Sequence, residues 1–132
     1  MSFLLDTDTC SAHFRRPAGL AHRLMQHSGR LFISAVSLAE LYSGAFQLAD
    51  PQPLLVKVAD LLRDVVLIEF DERAALEFGR VRGSLLRAGI SVPTADLMIA
   101  ATALAGNHTL VTHNTADYRH IPALRLDDWL TP

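Results

Sequence analysis

Four acidic residues occupy positions that an alternating chain of strands and helices would bring to one edge of a sheet. They are Asp6, Glu40, Asp96 and Asp117, each at the end of an apolar strand-like run or in the first turns of a helix. Acids are unfavourable in such surroundings unless they are paired, hydrogen-bonded or bound to a cation. Carboxylate oxygens are the ligands that Mg²⁺ and Mn²⁺ prefer, and such ions can activate water for phosphodiester hydrolysis. The four acids therefore predict a hard-metal site.

Each acid also has a purely structural interpretation, which the sequence leaves open. Asp6 could cap the helix that follows it, and residues 37–40 have the S-x-x-E form of a capping box that begins a helix at Ser37 and ends on Glu40. Asp96 gains from a helix N-terminus, and Asp117 could terminate a turn. Asp8 fits either a second ligand or a favourable charge in a first helical turn. The metal-binding interpretation is favoured because all of these acids are predicted to lie at the same edge of the sheet.

Two neutral residues near Asp117 are candidates for a supporting role. Thr112 and Asn114 follow a strand-like run directly. They could orient a carboxylate or a water molecule, or they could satisfy the backbone of a turn.

The composition indicates one compact domain, residues 1–132, with enough apolar residues for a sizeable core. Cys10 is the only cysteine, which excludes an internal disulfide framework and fits a reducing cytoplasm. No apolar stretch is long enough to cross a bilayer, and the N-terminus lacks the features of a signal peptide. We therefore expect a cytoplasmic protein without membrane contact. The formal net charge of −2 gives no overall attraction to nucleic acid.

Apolar periodicity and turn residues predict the elements that position the acids. Strands are predicted at residues 3–5, 31–34, 65–68, 109–112 and 124–126, and helices at 7–14, 17–27, from 37, 54–63, 71–87 and 95–105. In the helix at 71–87, Leu76, Phe78, Val81 and Leu85 predict the buried face, and Thr94 is the predicted cap of the next helix. Alternation of this kind is typical of a three-layer α/β/α sandwich with a mainly parallel sheet, in which ligands bind beyond the carboxyl ends of the strands.

The motifs resemble those of the PIN-domain ribonucleases, and specifically of the VapC-type toxins of toxin–antitoxin pairs. The resemblance is carried, in order and over the whole chain, by LLDTDT at 4–9, SAVSLAELYSG at 34–44, ADLMIAATAL at 95–104, TLVTHNTADY at 109–118 and LRLDDW at 124–129. The combination of motifs is highly specific, although each one alone is not.

That resemblance implies a PIN-like fold and a metal-dependent endoribonuclease of a type II toxin–antitoxin pair. It implies that Asp6, Glu40, Asp96 and Asp117 are catalytic acids that bind Mg²⁺ or Mn²⁺, supported by Asp8, Thr112 and Asn114. Asp8 stands where the family often has asparagine. The expected partners are an RNA substrate, a small antitoxin protein and a second copy of the chain, the last also favoured by apolar residues such as Leu41 and Phe46.

Two other classes of protein remain as alternatives. Asp6 and Asp8 after an apolar strand also resemble the first motif of haloacid-dehalogenase-like phosphatases, in which the first aspartate is a nucleophile. The glycine usual after the second acid is missing, and the only lysine, Lys57, lies inside a predicted helix. The other alternative is a non-catalytic binding module with the same fold, which the complete set of acids disfavours.

Overall fold

The computed structural model describes residues 1–130 of the chain. Its strands are β1 (Phe3–Leu5), β2 (Leu31–Ser34), β3 (Val66–Ile68), β4 (Thr109–Val111) and β5 (Leu126–Asp127). Its helices are α1 (Thr7–Arg15), α2 (Pro17–Gln26), α3 (Ala35–Phe46), α4 (Gln52–Asp64), α5 (Glu72–Arg87), α6 (Thr94–Gly106) and α7 (Thr115–Tyr118). Thr131 and Pro132, the last two residues of the predicted domain, lie outside the described part.

The five strands form one parallel sheet in the order β3-β2-β1-β4-β5. The central strand β1 is buried throughout, because both of its faces are covered by helices. Phe3 and Leu5 pack into one core with residues of α1, α2 and α4, whereas Leu4 points into a second core with residues of α5 and α6. This alternation across the sheet confirms the predicted three-layer α/β/α sandwich.

The edge strand β3, predicted at residues 65–68, is partly exposed although its sequence is apolar throughout. Val66 and Leu67 are 55% and 46% exposed, because β3 pairs on one side only, with β2. On α5, Val81 and Leu85 are buried as predicted, but Leu76 is 70% exposed. Leu76 therefore lies on the solvent side of the helix, and its predicted place in the buried face was wrong.

Helix α6 is central and buried, as its apolar sequence predicted. Leu97, Ile99 and Ala100 are each at most 1% exposed. The helix begins at Thr94, and the residue at its N-cap is Pro93, which has no side-chain capping bond, so the predicted Thr94 cap was wrong. Within residues 1–130, no helix is both long enough and apolar enough to span a membrane.

Candidate metal centre at the carboxyl edge of the sheet

Asp6 is the buried acid at the centre of this edge. It joins β1 to α1, and its backbone N–H donates to the Val111 carbonyl at 3.0 Å. Its Oδ1 accepts a hydrogen bond from the Thr9 backbone at 2.8 Å, so Asp6 caps α1 in the way that the structural interpretation predicted. Burial raises the pKa of its carboxyl, an effect that hydrogen bonds from Thr112 and Thr9 oppose and the charge of Asp8 reinforces.

Glu40 reaches the edge from α3, but not as part of a capping box. The N-cap of α3 is Ser34, whose Oγ accepts a hydrogen bond from the Ser37 backbone at 3.0 Å. Glu40 therefore lies in the second turn of the helix, where it has no capping role, and the predicted helix start at Ser37 was wrong. Its exposed carboxylate instead accepts a hydrogen bond from the Thr7 hydroxyl, with 2.5 Å between Oγ1 and Oε1. The structural explanation for this glutamate is thereby removed.

Asp96 is half-buried in the first turn of α6 and lies near the other acids. The pKa of its carboxyl is raised first by burial and then by the negative charges of four neighbours. Those neighbours, in order of effect, are Glu40, Asp117, Asp6 and Asp8. The fold therefore brings together all four predicted metal acids and Asp8.

The segment after β4 supports the acids through Thr112 and Asn114. The Thr112 hydroxyl is fully buried and accepts a hydrogen bond from the Asn114 backbone at 3.1 Å, in addition to its bond with Asp6. The Asn114 side chain donates to Asp8 Oδ2 at 2.8 Å, and its carbonyl accepts the Asp117 N–H at 3.0 Å, in the first turn of α7. Thr112 therefore contacts a carboxylate and also closes a turn.

Two residues at the edge were not predicted from the sequence. Tyr118 is buried, and the pKa of its phenol is raised by burial and by the charges of nearby acids, Asp96 first among them. Thr7 contacts Glu40 as described above. In the sequence, Tyr118 follows Asp117 and Thr7 follows Asp6. This adjacency was the only available signal, and it does not indicate where the two side chains point.

Among the described residues, no basic side chain forms an ion pair with an acid of the cluster. The close contacts between basic and acidic side chains described within residues 1–130 are Arg80–Glu77 and His113–Asp128, and neither includes one of the five acids. Nor do any three acidic, histidine or cysteine side chains in this part of the chain form a ready-made metal site. Like charges oppose closer approach in the absence of a cation. The donors are all oxygen, so their chemistry fits Mg²⁺ or Mn²⁺ rather than zinc.

The sequence matches known proteins along nearly its full length. Residues 3–124 match the family model described as PIN domain. The tRNA(fMet)-specific endonuclease VapC of Salmonella typhimurium is 32% identical over 130 residues, which cover 98% of both chains. Ribonuclease VapC2 of Haemophilus influenzae is 28% identical over 131 residues, which cover 98% of this chain and 99% of the relative.

The fold matches the same group of proteins. The crystal structure of DNA-bound VapBC from Salmonella typhimurium superposes with a TM-score of 0.93 at 32% identity, covering 98% of both chains. VapBC2 from Rickettsia felis, bound to a DNA fragment from its promoter, gives a TM-score of 0.93 at 29% identity and covers 98% of this chain and 99% of that one. The resemblance inferred from the motifs is confirmed: this chain belongs to the PIN-domain family and is of the VapC type.

Proposed function

We propose that this protein is the endoribonuclease toxin of a type II toxin–antitoxin pair and that its activity depends on Mg²⁺ or Mn²⁺. The observation that carries the proposal is the coupling of Asp96 to four further acids at one sheet edge, without a compensating base among the described residues. Relatives that align over nearly the whole chain are named endonuclease or ribonuclease, which supports the same reaction.

The metal is assigned to the four predicted acids. Asp6, Glu40, Asp96 and Asp117 would hold the ion through their carboxylate oxygens, which are hard ligands. When bound, such an ion lowers the pKa of a water molecule and stabilises charge on the leaving oxygen of an in-line displacement. In the hydrolysis, a bond forms between the water oxygen and phosphorus, and the bond from phosphorus to a ribose oxygen breaks.

The protein's own contribution is to hold the acids in place before substrate arrives. Asp6 is fixed by the first turn of α1 and by Thr112, and Asp8 is held by Asn114. Groups that are already oriented lose less freedom when a charged ligand binds. The buried helix α6 carries Asp96 on a rigid element, which favours precise placement of that carboxylate.

An antitoxin segment is the proposed occupant of a cleft that opens beside Glu40. The cleft has a volume of about 370 Å³, and its apolar wall includes Phe14, Leu41, Leu48 and Leu54. Arg15 and Lys57 also line it, so apolar side chains flanked by an acidic group would fit. Similar structures are described as VapBC complexes, which supports an antitoxin partner for this chain. A segment bound there would cover Glu40 and block the site.

A homodimer is proposed from the apolar side chains that remain on the surface. Phe46 of α3 and Leu76 and Leu86 of α5 are between 55% and 70% exposed. Exposed apolar side chains of this size support the proposal that part of the surface is covered in an assembly. Light scattering of the purified chain at micromolar concentration tests this, and a monomer under those conditions would contradict it.

The proposed activity is tested by incubating the purified chain with RNA, including an initiator tRNA, in Mn²⁺, in Mg²⁺ and in excess EDTA. We expect cleavage with either ion and none in EDTA. The Thr94→Val variant, which alters an exposed side chain on the same helix as Asp96, is expected to cleave as the wild type does. Undiminished cleavage in EDTA would overturn the metal dependence, and absence of cleavage under every condition would overturn the ribonuclease assignment.

A further inference from the structure

Two exposed acids of the candidate site, Glu40 and Asp8, each accept a hydrogen bond from a neutral side chain of another element. Glu40 of α3 accepts from Thr7 of α1, and Asp8 of α1 accepts from Asn114, which follows β4. The buried Asp6 differs, because its carboxylate is fixed by the backbone of its own helix. Exposed side chains are the ones that need an external partner, since solvent leaves their rotamers free.

Thr7 is anchored far more firmly than the glutamate that it contacts. It is the first residue of α1 and directly follows Asp6, whose backbone bonds Val111 at 3.0 Å and whose side chain caps the helix at 2.8 Å. Glu40, by contrast, is an exposed residue whose carboxylate lies three rotatable bonds from the backbone of α3. The hydrogen bond from the Thr7 hydroxyl therefore connects the Glu40 carboxylate to a firmly held part of the backbone.

We propose that Thr7 is a positioning residue that holds the Glu40 carboxylate ready for the metal ion. The inference rests on the proposed function, since it takes Glu40 as one of the ligands. The Thr7 hydroxyl donates to Oε1, and this bond leaves Oε2 available to an ion.

A neutral hydrogen-bond donor suits the positioning of a metal ligand better than a positively charged side chain. An arginine or lysine at the same place would orient the carboxylate but would also offset the charge that attracts the cation. A hydroxyl fixes the orientation and leaves the negative charge in place. Partners of this kind behind metal ligands contribute substantially to metal affinity, with typical losses of about 10- to 100-fold when they are removed.

The inference is tested by calorimetric titration of the RNA-free protein with Mn²⁺. Thr7→Val keeps the shape of the side chain and removes the hydroxyl, and we expect it to weaken Mn²⁺ binding by about tenfold. Thr7→Ser keeps the hydroxyl and is expected to bind within about twofold of the wild type, since the donor is retained. Thr94→Val is the matched control. Thr94 is likewise the first residue of a helix carrying a site acid, but no side-chain hydrogen bond of its own is found within residues 1–130.

A double-mutant cycle separates positioning from a general effect on the fold. If Thr7 acts through Glu40, Thr7→Val should cause no further loss of Mn²⁺ affinity in a Glu40→Gln background. An equal loss in both backgrounds would overturn the proposal, as would wild-type affinity in Thr7→Val. Thermal melts establish that each variant is folded, and Thr7→Ala replaces Thr7→Val should the valine variant fail to fold.

Failure of the inference is distinguishable from failure of the proposed function. Wild-type protein that binds no Mn²⁺ would remove the metal dependence and with it any role for Thr7 in metal binding. Wild-type protein that binds Mn²⁺ normally, together with a Thr7→Val variant that binds equally well, would remove only the role of Thr7.

Discussion

The two edges of the sheet differ in how their polar side chains are paired. At the amino edge, where the strands begin, cationic and neutral groups are paired with one another. Arg125 donates to the Asn107 side chain at 3.0 Å and to its carbonyl at 2.7 Å, and Ser2 bonds His108 at 2.6 Å. At the carboxyl edge, five acids share one neighbourhood, and the hydrogen bonds described for them come from neutral groups.

At the amino edge, the polar contacts hold a turn and a ring in place. Asn107 ends α6 in the left-handed conformation, with φ at 56°, and Arg125 bonds both ends of this residue, which stabilises the turn into β4. The His108 ring also packs on Phe32, with 4.5 Å between ring centroids. Because polar groups at the amino edge are paired with one another, the cluster of acids at the carboxyl edge, for which no ion pair is described, is a candidate functional site.

The largest expected effect is on cleavage, through Asp96→Asn. The amide keeps the size and polarity of the side chain but removes a charged ligand from the centre of the acid set. We expect the rate of RNA cleavage in Mn²⁺ to fall by more than about a hundredfold. Circular dichroism should show an unchanged fold, and cleavage within a few-fold of the wild type would mean that this carboxylate is not part of the catalytic site.

Arg125→Ala tests the amino edge, where we expect a substitution to lower stability and leave cleavage unchanged. Loss of the two bonds to Asn107 is expected to lower the free energy of unfolding by about 1–2 kcal/mol, which corresponds to a drop in Tm of about 3–8 °C. Cleavage by the folded protein should be unchanged. Arg63→Ala, which removes an exposed arginine of α4, is the control for loss of a positive charge. A marked loss of activity in Arg125→Ala without a change in Tm would contradict the division between the two edges.

The fold was predictable where local sequence and burial agree. The central strands β1 and β4 and the buried helix α6 have continuous apolar sequences that only an interior position explains. The exposed side of β3 was not predictable, because an apolar run does not show whether a strand has one neighbour or two. Helix α4 begins two residues before the predicted start at Leu54, because Pro51 and Pro53 lie at its N-terminus, where the missing N–H groups are harmless.

The sequence allowed us to predict which residues meet at the candidate site, but not which hydrogen bonds they form there. Parallel topology alone brings Asp6, Glu40, Asp96 and Asp117 to one edge. The S-x-x-E pattern suggested Ser37 as the cap, yet Ser34, three residues earlier, ends β2 and caps α3 instead. The bond from Thr7 to Glu40 depends on how α1 packs beside α3, which no local pattern encodes.

Asp8 and Glu40 offer a smaller test within the carboxyl edge itself. Asparagine at position 8 keeps an oxygen, so Asp8→Asn should retain RNA cleavage within about threefold of the wild type, about 0.7 kcal/mol in the barrier. Glu40→Gln should be clearly more damaging, because it removes a proposed ligand. A phosphatase would behave in the opposite way, since Asp8 would be its general acid–base. Both variants are assayed on RNA and on a phosphomonoester. Phosphomonoester turnover that is lost in Asp8→Asn and kept in Glu40→Gln would overturn the nuclease assignment.

The smallest expected effect is on the stability of the metal-free protein, again through Asp96→Asn. The folded state raises the pKa of Asp96 above its usual value of 3.8, through burial and the neighbouring acids. Below the unfolded pKa, Asp96 is protonated in both states and differs little from asparagine. As the pH rises through the folded pKa, the wild type loses stability because the folded state binds this proton more tightly than the unfolded state does.

At neutral pH and in EDTA, Asp96→Asn should therefore be the more stable protein. Because the carboxyl is only half-buried, solvent screening limits the gain to about 0.5 kcal/mol, or about 2 °C in Tm. The gain should shrink as the pH is lowered towards the ordinary pKa of 3.8, and saturating Mn²⁺ should reverse it by stabilising the wild type. Thermal melts of the two proteins across this pH range, with and without Mn²⁺, measure both trends. A variant that is less stable than the wild type in EDTA at neutral pH would show that the carboxylate stabilises α6 more than its neighbours destabilise it.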